Sequence, residues 1–538
     1  MSNMANLSEL EILLTELERL DIKLWVEGDK LRFDAPPGAL TTDLRSRLQA
    51  SKPALIQCLV QAGIHAPGDG FPFLTDLERA GIHPLSFAQR HFGLIQLRHP
   101  EACFYNVPFG FRIKGLLDVD ALQKSLDALV GRHGFLRTTL QKVEGEIRQV
   151  VATAGVMAIR QVSLQGLSGP EQQAGIEREI QIECRTPFDL TCDCTLRVRL
   201  LSLTEQHHVL VLCLHNTLFD TGSLRAVLHE IGHYYAMFTG VVLSSTLPAL
   251  PMQYAGCVRW QQAQLAGNLE SRLSYWRDWF KQGEPPALTQ IIAGQETPSE
   301  TFVAATSWCE LTADLTVKLK QFSQEQGVSL FMTLVSAYAL ALSRYSEQTD
   351  VVLGTTLANR NHWKLEPLVG SLLNILALRF DFGETMDYGS VLQQTRHVVL
   401  AAFAHQDIPF GVMAPLLAPD APRTTPLFRT VFSFLGELSR DELKLAGVSV
   451  EFMEEIHGEF MFPDLYPTVW ERQTPDGLAL TSCWQYKQGY LPETTVLAIM
   501  ADFRGILADM VEYHGKTDAS LAFHENKNGI MSDGIRHL

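Results

Sequence analysis

Two α/β lobes of mixed (α+β) character, behind a small N-terminal helix–hairpin–helix unit, are what the sequence predicts. Three observations predict it. First, 538 residues with 46% hydrophobic and 19% charged side chains supply apolar material for several packed units and exclude a wholly disordered chain. Second, from about Ile82 to Tyr513 the apolar period switches repeatedly between 2 and 3.6, in two successive halves, with no fixed short repeat. Third, the first 63 residues run through helix, hairpin and helices before a Pro/Gly-rich stretch.

The elements follow in chain order. Leu10, Leu13, Leu14 and Leu17 have helical spacing over Leu7–Leu20, with Ser8 near its start. Ile22, Leu24 and Val26 then alternate, Glu27-Gly28-Asp29 turns the chain, and Leu31 and Phe33 continue, which is a β-hairpin. Pro36, Pro37 and Gly38 end it; Thr41 or Thr42 caps a second helix and Lys52–Val60 supplies a third. So small a unit folds alone only marginally, which suits a docking role. Residues 64–81 read as a linker. Over 82–245 the strand FYNVPFGFRIKG, a helix starting near Asp118 or Asp120, the buried strand HVLVLCLH and the helix SLRAVLHEIGHYYAMF form one lobe. Over 246–515 the helix SLFMTLVSAYALALSRYS and the strands DVVLGTTLA, GSLLNILALRFDF and TPLFRTVFSFLG form the other; 516–538 is a tail.

Composition also excludes functions. Lys+Arg minus Asp+Glu is 44 − 60 = −16, the wrong sign for a nucleic-acid binder. No uninterrupted apolar run of about 18 residues exists, so no membrane helix is expected. The start carries Glu9, Glu11, Glu16 and Glu18 where a secretory signal has basic residues. Nine irregularly spaced cysteines argue against a disulfide framework and for the cytoplasm. The one close pair, Cys192 and Cys194, reads as two thiols on one face of a strand rather than a metal knuckle.

The N-terminal string LLTELERLDIKLWVEGDKLRFDAPPGALTTDLRSRLQASKPALIQCL resembles the TubC-type docking domain of nonribosomal peptide synthetases. That resemblance implies binding of the C-terminal tail of an upstream synthetase. A two-stranded hairpin has a free edge that accepts an added strand. Lys23, Lys30 and Arg32, with Trp25 in the same hairpin, would read an acidic tail. A merely solvated face explains any one of these charges equally well.

HNTLFDTGS, His215–Ser223, lies between a buried strand and a helix, where loop side chains reach a cleft and Ser223 is placed to cap the helix. Around it stand PLSFAQRHFGLIQL, GRHGFLRTTL, LPMQYAGCVRWQQ, LGTTLANRNHWKLEPLVGSLLNILALR, HQDIPF and PLFRTVFSF. Together and in this order they resemble the condensation domain of nonribosomal peptide synthetases, a chloramphenicol-acetyltransferase-like fold. The resemblance implies two lobes in a V around a tunnel. Donor and acceptor carrier proteins present their substrates there on phosphopantetheine, and the chain itself holds no covalent cofactor. The implied activity is acyl transfer from a thioester to an amine, making an amide, or less readily to an alcohol. The implied site residues are His215, Asn216, Asp220 and Ser223, with Arg137, Trp260, Asn359, Arg360 and Asn374 around the tunnel and Arg360 paired to Asp220.

Departures fall at the chemistry. The family loop reads HHxxxDG; here Asn216 replaces the second His and Thr221 the Gly, although Gly222 follows directly. His207-His208 has no Asp four residues on and does not substitute. An imidazole accepts a proton near neutral pH and an amide does not, yet an amide still positions an amine or donates to an oxyanion. Gly256 stands where an Asp is usual, and Ser371 and Leu372 where two Phe are usual. Two readings therefore stay open: a transferase with a divergent loop, and a silent scaffold that docks carriers or recruits an enzyme.

A third reading comes from His229-Glu230-Ile231-Gly232-His233, which has the HExxH spacing of zinc peptidases. No third ligand follows at the expected place, so no metal is expected. No Walker loop, GxSxG elbow, adenylation motif or carrier serine occurs, so docking and condensation units working with other chains are expected.

Overall fold

The computed structural model describes residues 80–512 except 104, 193, 219, 243–246, 282–302, 361, 384, 418–427, 438–442 and 454–462, together with 13, 23–27, 30–34, 42–52, 55–56 and 521–522. The linker over 64–79, the predicted tail over 516–520 and 523–538, most of the helix at Leu7–Leu20 and most of the one at Lys52–Val60 lie outside these residues.

In the N-terminal unit, strands Lys23–Glu27 and Lys30–Asp34 pair antiparallel, Trp25 opposite Arg32. No third strand joins them among the described residues. Thr42–Ala50 is helical, with Leu44 and Leu48 buried.

Five strands form the first large sheet, in the order Ser449–Met453, Asn106–Lys114, His207–His215, Leu196–Ser202, Ile159–Ser163. HVLVLCLH is apolar throughout because both its faces are covered. Leu210, Leu212 and Leu214 pack with helices Val119–Arg132 and Thr221–Phe238, while Val209 and Val211 pack with Ile176 of helix Gly169–Arg185. Asp118 caps the first of these helices, its carboxylate accepting Ala121 N–H at 2.9 Å.

A six-stranded sheet carries the second core, in the order Ala304–Leu311, Gly477–Lys487, Leu465–Thr474, Val431–Glu437, Asp350–Leu357, Asn374–Asp381. Helices Ala313–Glu325, Leu330–Ser346, Tyr388–Ala404 and Glu493–Glu512 cover one of its faces. Leu330–Ser346 is buried almost end to end, which accounts for its all-round apolar sequence. Among the described residues no single helix is long and apolar enough to cross a membrane.

The cores do not divide at residues 245/246. Strand Ser449–Met453 completes the first sheet, Val450 opposite Ile113. Helix Tyr254–Lys281 begins in the first core with Tyr254 and Cys257 and ends in the second with Trp276 and Trp279. One further reading is corrected. Cys192 lies in a turn before the strand that starts at Leu196, its thiol on Asp189 Oδ2 at 3.2 Å, so no strand presents the two thiols together.

Candidate functional site

The loop between strand His207–His215 and helix Thr221–Phe238 is held from one side by Arg360. Asp220, in extended backbone, is the helix cap: its Oδ1 accepts Ser223 N–H at 2.6 Å. Ser223 is therefore not the cap; it lies inside the first turn and its hydroxyl is spent elsewhere. Arg360 Nη2 lies 2.8 Å from Asp220 Oδ1 and 3.0 Å from Oδ2, and also donates to Ser223 Oγ at 2.8 Å. Nη1 donates to the carbonyls of Leu365 and Leu368. The two side chains are 1% and 7% exposed, so this is a buried pair with its hydrogen bonds filled.

Segment Gly370–Leu372 is sewn onto the same loop. Ser223 Oγ donates to Gly370 O at 3.1 Å, Ser371 N–H reaches Thr217 O at 3.1 Å, and Leu372 N–H reaches Asp220 Oδ2 at 2.8 Å. Two glycines make the approach possible. A Cβ on Gly222 would overlap the Arg360 side chain, and one on Gly370, at φ +140°, would overlap the Tyr254 ring. Gly222, one residue after Thr221, is thus required by the close approach of Arg360 and not by a left-handed backbone. Gly222→Ala is expected to cost about 1–3 kcal/mol by overpacking, and Thr221→Gly less than about 1 kcal/mol; urea unfolding of both variants checks the contrast.

His215 is fully enclosed, edge-on to Tyr105 and Phe188. Thr217 N–H donates to its Nδ1 at 3.2 Å, so the proton sits on Nε2, facing Gln96 Oε1 at 3.4 Å. Burial, helped by the Arg197 charge, pushes the imidazole pKa down to about 3. Below its ordinary value of 6.5 the unfolded chain then binds a proton that the folded chain refuses. Folding stability is expected to fall as pH drops from about 6.5 towards 3. In His215→Gln that particular slope should vanish from the pH dependence of the urea midpoint.

Asn216 differs from its neighbours. Its backbone N–H is fixed on Tyr105 O at 2.9 Å, while its side chain is half-buried and has no hydrogen-bond partner among the described residues. Of the four loop residues singled out from the sequence, only Asn216 offers an unspent polar group.

The remaining predicted residues are dispersed. Asn374 Nδ2 donates to Gln406 O and Ile408 O, and its Oδ1 accepts from Phe410 N–H, so it holds the HQDIPF segment. Asn359 adopts a left-handed φ of 51°, which Asn tolerates, at the turn into Arg360. Arg137 donates to Val130 O, Gly131 O and Ala152 O and so closes the end of helix Val119–Arg132. Trp260 is half-buried against the first core. His207 and His208 stand at the opposite end of their strand from Asn216. For Lys23, Lys30, Arg32 and Trp25 the structure gives strand positions only.

Glu230 of the HExxH string is engaged within the fold. Its carboxylate is buried and meets His133 Nε2 at 2.8 Å and Arg132 Nε at 3.1 Å, while His229 is exposed. The helix thus turns the Glu inward, away from its neighbouring His. No cluster of three or more metal-binding side chains occurs among the described residues. This anchor between GRHGFLR and the helix after the loop was missed; adjacent Arg132-His133 and a lone Glu on an apolar helix face were its only sign.

The fold and this loop define the class. The chain belongs to the condensation domain family, whose model matches residues 79–522. Residues 10–61 match the TubC N-terminal docking domain. A linear gramicidin synthase protein of Brevibacillus parabrevis is 34% identical over 443 residues, 81% of this chain and 8% of that protein. Two further proteins of the same synthase are likewise covered over only 6% and 9% of their length. Among solved structures, the cyclization-docking bidomain EpoB of a nonribosomal peptide synthetase from Sorangium cellulosum matches with TM-score 0.69 and 19% identity, over 93% of this chain and 98% of that one. The X-domain in its complex with OxyB from teicoplanin biosynthesis matches with TM-score 0.69 and 22% identity, over 80% and 93%.

Proposed function

We propose that the chain transfers a carrier-bound acyl or peptidyl group from its thioester to an amine, making an amide. The amine nitrogen attacks the thioester carbonyl; the C–N bond forms, the C–S bond breaks, and the departing thiolate takes the proton the amine gives up. Both substrates arrive on the phosphopantetheine of partner carrier proteins. The N-terminal hairpin receives the C-terminal tail of an upstream synthetase on its free strand edge.

One observation carries the reading: the loop is braced by Asp220, Ser223 and Arg360 around a half-buried Asn216 whose amide is unspent. That amide accepts from the amine N–H or donates to the oxyanion as the carbonyl is attacked. Asn216 is the group placed on substrate; His215, Asp220, Ser223 and Arg360 position it, and Asn359, Asn374, Arg137 and Trp260 support the surrounding fold.

The test is reconstitution with loaded donor and acceptor carriers, read by mass spectrometry of the acceptor-bound product. Product that depends on this chain supports transfer. No product with any carrier pair of its assembly line, when deleting the chain still stops that line, overturns transfer and leaves a scaffold.

A further inference from the structure

A second hold on the braced loop, separate from Arg360, comes from the start of helix Tyr254–Lys281. Gln253 fixes that start: its Oε1 accepts Gly134 N–H at 2.8 Å and its Nε2 donates to Arg132 O at 2.9 Å. The buried Tyr254 ring then lies edge-on to Phe135, centroids 4.6 Å apart, and against Gly370, where no Cβ fits.

The Tyr254 hydroxyl has two partners, Ser371 O at 2.5 Å and Ser86 Oγ at 2.8 Å. A carbonyl only accepts, so the phenol proton goes to Ser371 O and the Ser86 hydroxyl donates to Tyr254 Oη. Ser86 is itself fixed: its Oγ accepts Gln89 N–H at 3.0 Å, and its N–H donates to Gln89 Oε1 at 2.8 Å. Gln262, about two turns along the same helix, donates to Leu85 O at 3.0 Å. Burial raises the pKa of the Tyr254 phenol, so it keeps the proton it donates. Ser371 is held at both of its backbone groups, its C=O by Tyr254 and its N–H by Thr217 O at 3.1 Å. Thr217 directly follows Asn216, the loop residue whose amide is unspent.

We infer that Tyr254 is a positioning residue for transfer: through Ser371 and Thr217 its hydroxyl sets where the Asn216 amide stands relative to the reacting carbonyl and amine. The inference rests on the acyl-transfer reading and adds a residue to its machinery. Orientation is where so small a contact acts on rate, because about 1 Å of misplacement can cost about 10²-fold.

The test uses Tyr254→Phe in the full chain, which keeps the ring against Gly370 and Phe135 and removes only the hydroxyl. Hydrogen exchange read by mass spectrometry should rise in the peptide containing Ser371 and in the one containing Asn216 and Thr217. With loaded carriers, kcat should fall about 3–10-fold at unchanged KM, the loss of one neutral hydrogen bond felt at the reacting centre. In the Asn216→Ala background the same change should alter kcat by less than about 2-fold, since the amide it positions is gone. A purely structural role would lower the rate equally in both backgrounds. Ser86→Ala removes the donor to Tyr254 Oη, should act in the same sense, and replaces Tyr254→Phe if that variant melts early. Equal falls in both backgrounds would overturn the inference, as would unchanged exchange at Asn216 and Thr217 while transfer proceeds. No product from wild type with any carrier pair would instead strike at the transfer reading itself.

Discussion

Asp220→Ala is expected to lower folding stability by about 3–5 kcal/mol, the usual consequence of removing one partner of a buried ion pair. The carboxylate has several duties at once. It caps helix Thr221–Phe238 through Ser223 N–H, binds Arg360 through two nitrogens and accepts Leu372 N–H. Its removal leaves the 7%-exposed Arg360 side chain without its counter-charge, and unfolding from the loop outward relieves that cost. Asp220→Asn keeps an acceptor for the cap but not the charge, so it should fall between wild type and Asp220→Ala. The double variant Asp220→Ala/Arg360→Leu should lose less than the sum of its parts, because no charge is then stranded. Urea unfolding of wild type, Asp220→Ala, Asp220→Asn, Arg360→Leu and the double variant measures this. A loss below about 1 kcal/mol for Asp220→Ala, the range of surface pairs, would show that water reaches Arg360 and that the brace is weak.

How much of this was legible beforehand depends on the range of the interaction. Strand His207–His215 and helix Thr221–Phe238 were legible because burial on two faces and on one stripe leaves a local pattern. The cap at Asp220 was displaced to Ser223 because both residue types cap helices, and the choice depends on where Gly370 and Arg360 lie, about 140 residues away in sequence. Asp220 with Arg360 emerged only through likeness to a family, since no local pattern links residues so far apart. The same limit hid strand Ser449–Met453: nothing in SVEFM says which sheet it joins, and its partner Asn106–Lys114 lies more than 300 residues earlier. Glu230 shares the HExxH string with His229 and His233, but helical spacing puts it about 100° round from His229, and its pairing with Arg132 and His133 joins residues about 97 apart that no local pattern links. By contrast, Tyr466 and Thr468 alternate with Leu465, Pro467 and Val469, so the two-sidedness of that strand is present in the sequence.

Asn216→His is expected to raise turnover with aminoacyl acceptors by about 10²–10⁴-fold, the usual contribution of a positioned proton acceptor. The backbone is prepared for it: residue 216 hangs from Tyr105 O by its N–H and is flanked by Thr217, which Ser371 holds, and by His215, which Gln96 and Thr217 hold. Residue 216 is less enclosed than His215, so an imidazole there is expected to be shifted less by burial than the ring next to it. It would take the amine proton as the C–N bond forms, a step that Asn216 leaves to the thiolate. Turnover in Asn216→His should therefore rise with pH through about 6–7 and level off, whereas wild type should show no such inflection. Asn216→Ala should lower turnover further, by the loss of one oriented hydrogen bond to the amine or the oxyanion, up to about 10²–10³-fold if the oxyanion is the target. These rates come from single-turnover product formation with loaded carriers, at matched stability of the three proteins. Equal rates for wild type, Asn216→His and Asn216→Ala would mean that the side chain at 216 touches neither amine nor oxyanion, and the braced loop would then be a structural brace alone.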